Sequence, residues 1–293
     1  MKRQVPGIMA LVGATVIWGS AFIAQSVGMD RIGPFTFQMF RCGLAVVFLF
    51  PLSALLGDRK TWRSQWLDKK LWRSGSICGL ALFAASSLQQ IGLVYTDAGK
   101  AGFLTAMYIV FVPFLGLLLG QKPGKNAFFS LIPAVTGLYL LSFTGSSGMN
   151  LGDILLLGCA VCFSVQILLI DRYCQGLDGV KLNCIQALVV TILSVPCAVA
   201  TEKIELGLVL SCWLPLGYAG VLSMGVAYSL QIFGQQRVAP AAASLLMSLE
   251  SVFAALCGWL LLHETMTGTE LTGCLLVFCA VILSQLPEKK KHT

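Results

Sequence analysis

Glu250, Arg41 and Lys100 are ionisable residues within long apolar stretches of this sequence. Glu250 lies near the centre of an apolar run over 240–262, about 15 Å from one end and about 18 Å from the other at helical rise. A charged carboxylate at such a depth is costly, and residues of this kind usually face a cavity. The chemistry open to Glu250 is proton or cation coupling, or contact with an ammonium group. The alternative is a hydrogen-bonded structural Glu that joins two helices. Arg41 lies about 10 Å from the end of the run over 34–56. It can snorkel to the interface, or face a cavity and meet a carboxylate. Lys100 stands in the first turn of a run that begins near 98, where the helix dipole disfavours a cation. Pairing with Asp97, snorkelling to headgroups, or attracting anions at an outer mouth would each answer that cost.

Neutral hydrogen-bonding residues surround these charges in sequence. Gln38, Gln89, Gln90, Gln186 and Gln231 all fall within apolar runs, as do Trp18 and Tyr108. An apolar pocket with a few placed polar groups is the usual small-molecule site. The same glutamines serve equally well as hydrogen bonds between helices, each worth about 0.6 kcal/mol on average in a bilayer.

The elements that would position them are membrane helices. Of the 293 residues, 57% are hydrophobic and 11% are charged, and the mean hydropathy is +0.82. Soluble domains carry about 25% charged residues, so this chain cannot cover a water-facing surface of its size. Apolar runs cover approximately 8–28, 34–56, 75–95, 98–119, 127–143, 153–173, 180–200, 213–236, 240–262 and 270–286. Each is close to the length that crosses a core of about 30 Å. The first run follows Met1-Lys2-Arg3 but is too long for a signal-peptide core and has no small-x-small cleavage site, so it reads as a span. The expected fold is an all-α membrane protein of ten transmembrane helices.

Charge orients them. With the N-terminus inside, 16 of the 20 basic residues fall in inner segments and only Arg31 and Lys203 in outer loops. That asymmetry requires an even number of spans and places both termini in the cytoplasm. The net charge of +7 then reports membrane orientation and not nucleic-acid binding. Residues 57–74 carry Trp62, Trp66 and Trp72 among six basic residues, as suits a short amphipathic segment at the inner headgroups.

The chain also repeats itself. A shift of 142 residues places Gln89 on Gln231, Gly92 on Gly234, Ala101 on Ala243, Phe111 on Phe253 and Gly116 on Gly258. A shift of 145 places Gly13 on Gly158 and Trp18 on Phe163. Because five is odd, two five-span units must run in opposite orientation, the architecture of many secondary transporters with a midplane site between the halves. The expected division is 1–145 and 146–293, within one membrane domain.

These residues resemble the drug/metabolite transporter superfamily, and within it the EamA-like ten-helix transporters. The resemblance rests on Trp18-Gly19-Ser20-Ala21-Phe22, on Arg41, and on Tyr95 to Phe103 leading to Tyr108 and Pro113. In the second half it rests on Leu249 to Leu256, leading to Gly258 and His263-Glu264. It implies export or exchange of small metabolites, such as amino acids or amphipathic compounds, through a central cavity in the plasma or inner membrane. Two positions depart from the family pattern. Ser251 stands where Pro is common, which weakens the expectation of a kink in the ninth helix. Gln121 stands where Glu is common, which removes a symmetric carboxylate pair.

Other classes find little support. There is no G-x-G-x-x-G, P-loop, H-E-x-x-H or paired aspartate cluster. His263 is at an outer helix end and His292 is in the tail, so neither is placed for intramembrane acid–base work. A membrane-embedded enzyme or a sensor or scaffold remains the alternative to a transporter. No catalytic residue, cofactor or metal is expected. The eleven cysteines, including Cys159-x-x-Cys162, read as small buried hydrophobes. Gly116-x-x-x-Gly120 and Ser20-x-x-x-Ala24-x-x-x-Gly28 read as faces for close helix packing, and a homodimer is allowed by them without being required.

Overall fold

The structure, a computed structural model, describes residues 4–58, 60–96, 98–121, 123–142, 149–261 and 266–286. Asp97, His263 and Glu264 therefore lie outside the described residues. The chain is all-helical. In order, α1 is Val5–Met29, α2 is Pro34–Leu56 and α3 is Lys69–Tyr95. Helix α4 consists of Ala98–Ala106 and Tyr108–Leu118, and α5 is Lys125–Leu141. In the second half α6 is Leu151–Tyr173, α7 is Gly179–Thr201 and α8 is Trp213–Gln235. Helix α9 consists of Pro240–Met247 and Leu249–Leu261, and α10 is Gly268–Gln285. Among the described residues, nine of these are long and apolar enough to cross a membrane. The tenth, α5, is shorter, at about 25 Å by helical rise. Successive helices alternate in direction. The end of the bundle at which α1 begins is called here the N-terminal face.

Local sequence explains most of the helix ends. Pro34 and Pro240 open α2 and α9 at positions where a missing N–H costs nothing. Asp178 caps α7 by accepting from Val180 N and Lys181 N. Asn150 and Asp153 form a capping box on α6. Helix α2 has no cap of its own; Glu202, after α7, accepts from Phe35 N at 2.7 Å and Thr36 N at 2.8 Å. Gly120 adopts φ +78°, and Gln121 N donates to Gly116 O at 2.9 Å, the left-handed end of α4. This corrects the packing role expected of Gly116-x-x-x-Gly120. A Cβ on Gly120 would meet nothing within 4 Å, so the residue serves the turn and not a helix interface.

The repeat is realised in the packing. Helix α1 crosses α8 where Gly7 meets Gly234, and α6 crosses α3 where Gly152 meets Gly92. These are the same crossing, because Gly7 and Gly152 are 145 apart and Gly92 and Gly234 are 142 apart. A Cβ on Gly234 would lie 2.9 Å from Gly7 O, and one on Gly152 would lie 2.8 Å from Gly92 O. Only glycine allows backbones so close. The equivalence extends to side chains. Gln38 Nε2 donates to Ser87 Oγ at 3.1 Å, and Asn183 Nδ2 donates to Ser229 Oγ at 3.1 Å. Helix α2 packs on α7, α4 on α9, and α5 on α10, so each pair joins equivalent helices across an approximate two-fold axis. The fold is two inverted five-helix repeats.

Three local features depart from the apolar runs. Helix α3 starts at Lys69, a turn and a half before its run, with Asp68 as cap. Helices α4 and α9 break at Met107 and Ser248, close to equivalent positions, so the ninth helix is interrupted without a proline. Residues Tyr218–Ala227 of α8 form a π-helix, a wide turn often found at functional sites.

Candidate functional site: a charged cavity on the repeat axis

The breaks in α4 and α9 place Tyr108 and Glu250 opposite each other at the centre of the bundle. Tyr108 Oη donates to Glu250 Oε1 at 3.1 Å, and both side chains are buried. Around them lies a cavity of about 50 Å³. Of the residues the sequence singles out, Trp18, Arg41, Gln89, Tyr108, Gln231 and Glu250 line it. The wall also contains Phe22, Gln25, Thr105, Phe163, Ile167, Ser223, Tyr228 and Met247. Trp18 and Tyr228 meet edge to face at 5.0 Å. The aromatic surface comes from four helices, α1, α4, α6 and α8.

Gln38, Gln90 and Gln186 are buried but stand behind this wall. Gln38 ties α2 to Ser87 on α3 and Ser194 on α7. Gln90 donates to Gln25, and Gln186 accepts from Gln166 at 3.3 Å.

Arg41 does not snorkel. It is 5% exposed, and its Nη1 donates to Gln25 Oε1 at 3.0 Å. Gln25 thus joins Arg41 and Gln90 in one polar group on α1, α2 and α3. The other half holds the counterpart: Gln166 donates to Gln186 and accepts from Gln231 at 3.3 Å. Arg41 and Gln186 are 145 residues apart, so equivalent positions carry a cation in one repeat and a neutral amide in the other. The cavity is polar on both sides and charged asymmetrically.

Arg41 and Glu250 both face the cavity but form no ion pair. Arg41 Nε and Trp18 Nε1 are buried donors without a hydrogen-bond partner, and Gln231 Oε1 is an acceptor in the same state. Buried polar groups are normally satisfied, so this wall presents unused donors on one side and a carboxylate on another.

Lys100 lies away from the cavity, on the face opposite the N-terminal one. Its Nζ is 2.6 Å from Asp153 Oδ2, the only ion pair among the described residues. Thr96 Oγ1 adds bonds to Asn150 and Asp153 at 3.1 and 3.3 Å. The partner of Lys100 is therefore Asp153 in the first turn of α6, which the sequence did not single out. Also missed were Gln25, Thr105, Ser223 and Tyr228. The signal for Gln25 is its type: a glutamine in an apolar run, like the five that were named.

A second cavity of about 470 Å³ opens at the N-terminal face, between the ends of α4, α6 and α10 and the starts of α5 and α9. Asp171 and Gln121 line it. It is separated from the central cavity by about one helical turn of packed side chains, including Ile109, Ala243 and Leu246.

The comparisons with known proteins agree with this architecture. Residues 5–143 and 150–286 match the EamA-like transporter family. An uncharacterized transporter of Archaeoglobus fulgidus is 32% identical over 95% of this chain and 85% of its own length. The threonine/homoserine exporter RhtA of Escherichia coli is 25% identical, covering 99% of this chain and 95% of that protein. A protein crystal structure with 16% identity aligns with a TM-score of 0.79 over 96% of this chain and 97% of that one, a likeness of fold alone. The chain belongs to the EamA-like transporter family of the drug/metabolite transporter superfamily, and it is a multi-pass membrane transporter.

Proposed function

We propose that this protein is a secondary transporter that exports or exchanges small zwitterionic metabolites of the amino-acid class by alternating access around the central cavity. The observation that carries the reading is the separation of Arg41 from Glu250. Two opposite charges that share one buried cavity without pairing leave a gap that a zwitterion would bridge. Its carboxylate would meet the Arg41 guanidinium, a fork matched to that geometry, beside the Trp18 indole N–H. Its ammonium would meet Glu250 and the Gln231 carbonyl. The aromatic surface of Trp18, Phe163 and Tyr228 would take an amphipathic side chain. A relative exports threonine and homoserine by its name, which fits this class.

At about 50 Å³ the cavity holds a few waters and no metabolite. Transport therefore needs the halves to move apart around it. The Lys100–Asp153 pair closes the face opposite the N-terminal one, while the 470 Å³ vestibule opens the N-terminal face. The excess of Lys and Arg at the N-terminal face supports a cytoplasmic location for it and for both termini, in the plasma or inner membrane. The division of the chain near 145 belongs to the same reading. Counterflow of labelled amino acids in proteoliposomes tests it, with transport above that of protein-free vesicles expected.

A further inference from the structure

The vestibule on the N-terminal face contains a carboxylate that the central site does not use. Asp171 lies in the last turn of α6, where the negative end of the helix disfavours an acid. Among the described residues it has no cationic partner, and Gln121 Nε2 donates to its Oδ2 at 3.0 Å. Phe163, Ile167 and Asp171 are spaced four apart on one face of α6. The first two wall the central cavity and the third walls the vestibule. On α4, Tyr108 and Val112 are divided in the same way. The two cavities thus lie in line, with about one turn of packed residues between them.

We propose that the vestibule is a second, transient substrate site in which Asp171 holds the substrate's ammonium group before the seal opens. Gln121 fixes the Asp171 carboxylate and leaves its other oxygen for the ligand. The surfaces of Pro113, Pro240 and Ala241 supply apolar contact. A zwitterion held there by its cationic end leaves its carboxylate available for Arg41, and the ammonium passes from Asp171 to Glu250. This inference rests on the zwitterion reading of the central cavity.

The test is sided transport of labelled threonine in proteoliposomes sorted for a single protein orientation. Asp171→Asn is expected to raise the half-saturating concentration from the N-terminal face about tenfold, the scale of one charge-assisted hydrogen bond. The half-saturating value from the opposite face is expected to stay unchanged, while the maximal rate in that direction falls by the same factor, as reversibility of the transport cycle requires. Gln121→Met is expected to produce a smaller shift on the same side, and it serves if Asp171→Asn does not fold. Equal shifts from both faces, or none from the N-terminal face, in a wild type that transports would overturn this inference alone. A wild type that moves no zwitterion would overturn it together with the reading of the central cavity.

Discussion

Tyr108 and Glu250 stand 142 residues apart, occupy equivalent positions in the two repeats, and hydrogen-bond to each other at 3.1 Å. A contact between equivalent residues must lie on or near the two-fold axis of the molecule. The axis of an inverted repeat runs in the membrane plane, so this bond sits where access from the two faces must alternate. The symmetry ends at chemistry, because one repeat supplies a phenol and the other a carboxylate.

Proton or cation coupling at Glu250 is proposed from that placement. Glu250→Gln retains the Tyr108 bond and removes the titratable group, so its transport rate should be independent of pH over the range in which the wild type varies. A profile that still follows the wild type would remove Glu250 from coupling. Tyr108→Phe should keep the pH dependence and alter its midpoint.

The carboxylate contact proposed for Arg41 calls for a guanidinium. Arg41→Lys keeps the charge but loses the fork, and transport should fall at least tenfold, the effect of about 1.4 kcal/mol in binding. Near-normal transport by Arg41→Lys would mean that charge alone matters there.

The closure proposed for the face opposite the N-terminal one rests on a single ion pair, Lys100–Asp153. Lys100→Met leaves Asp153, 3% exposed, without its cation, and should destabilise the proposed closure of that face by roughly 1–3 kcal/mol. Labelling of a cysteine introduced near Thr96, on a background lacking accessible cysteines, should rise. The exchange Lys100→Asp with Asp153→Lys should restore protection in part. Labelling that does not respond to Lys100→Met would show that the pair closes nothing.

The glycine crossings carry a stability prediction. Gly234→Ala puts a Cβ within 3 Å of backbone and of Leu11, and should cost about 1–3 kcal/mol as overpacking. Gly92→Ala, its repeat equivalent, should cost a similar amount. Gly207→Ala, where a Cβ meets nothing within 4 Å, is the control. Thermal unfolding in detergent separates the three.

The inverted repeat was legible in the sequence because glycine crossings and buried glutamines tolerate little drift in register. Gln89 on Gln231 and Gly92 on Gly234 reveal it directly. Arg41 and Glu250 were legible as candidates because charge in an apolar run is rare. Their surroundings were not. Lys100 finds Asp153 across 53 residues and a helix boundary, while Asp97 is nearer in sequence. Arg41 turns to Gln25 on a neighbouring helix instead of the interface, and no spacing rule links the two. The breaks at Met107 and Ser248 and the π-helix over Tyr218–Ala227 carry no proline at the interruption itself. The period of the apolar residues does not mark them.

The central claim is that Arg41 and Glu250 hold a zwitterion between them. The most direct measurement is counterflow of labelled threonine into proteoliposomes loaded with unlabelled threonine, for the wild type and Arg41→Gln. Saturable accumulation by the wild type, reduced to the level of protein-free vesicles in Arg41→Gln, is the predicted result. Equal accumulation by the two proteins, or none by either across a panel of amino acids, would contradict it.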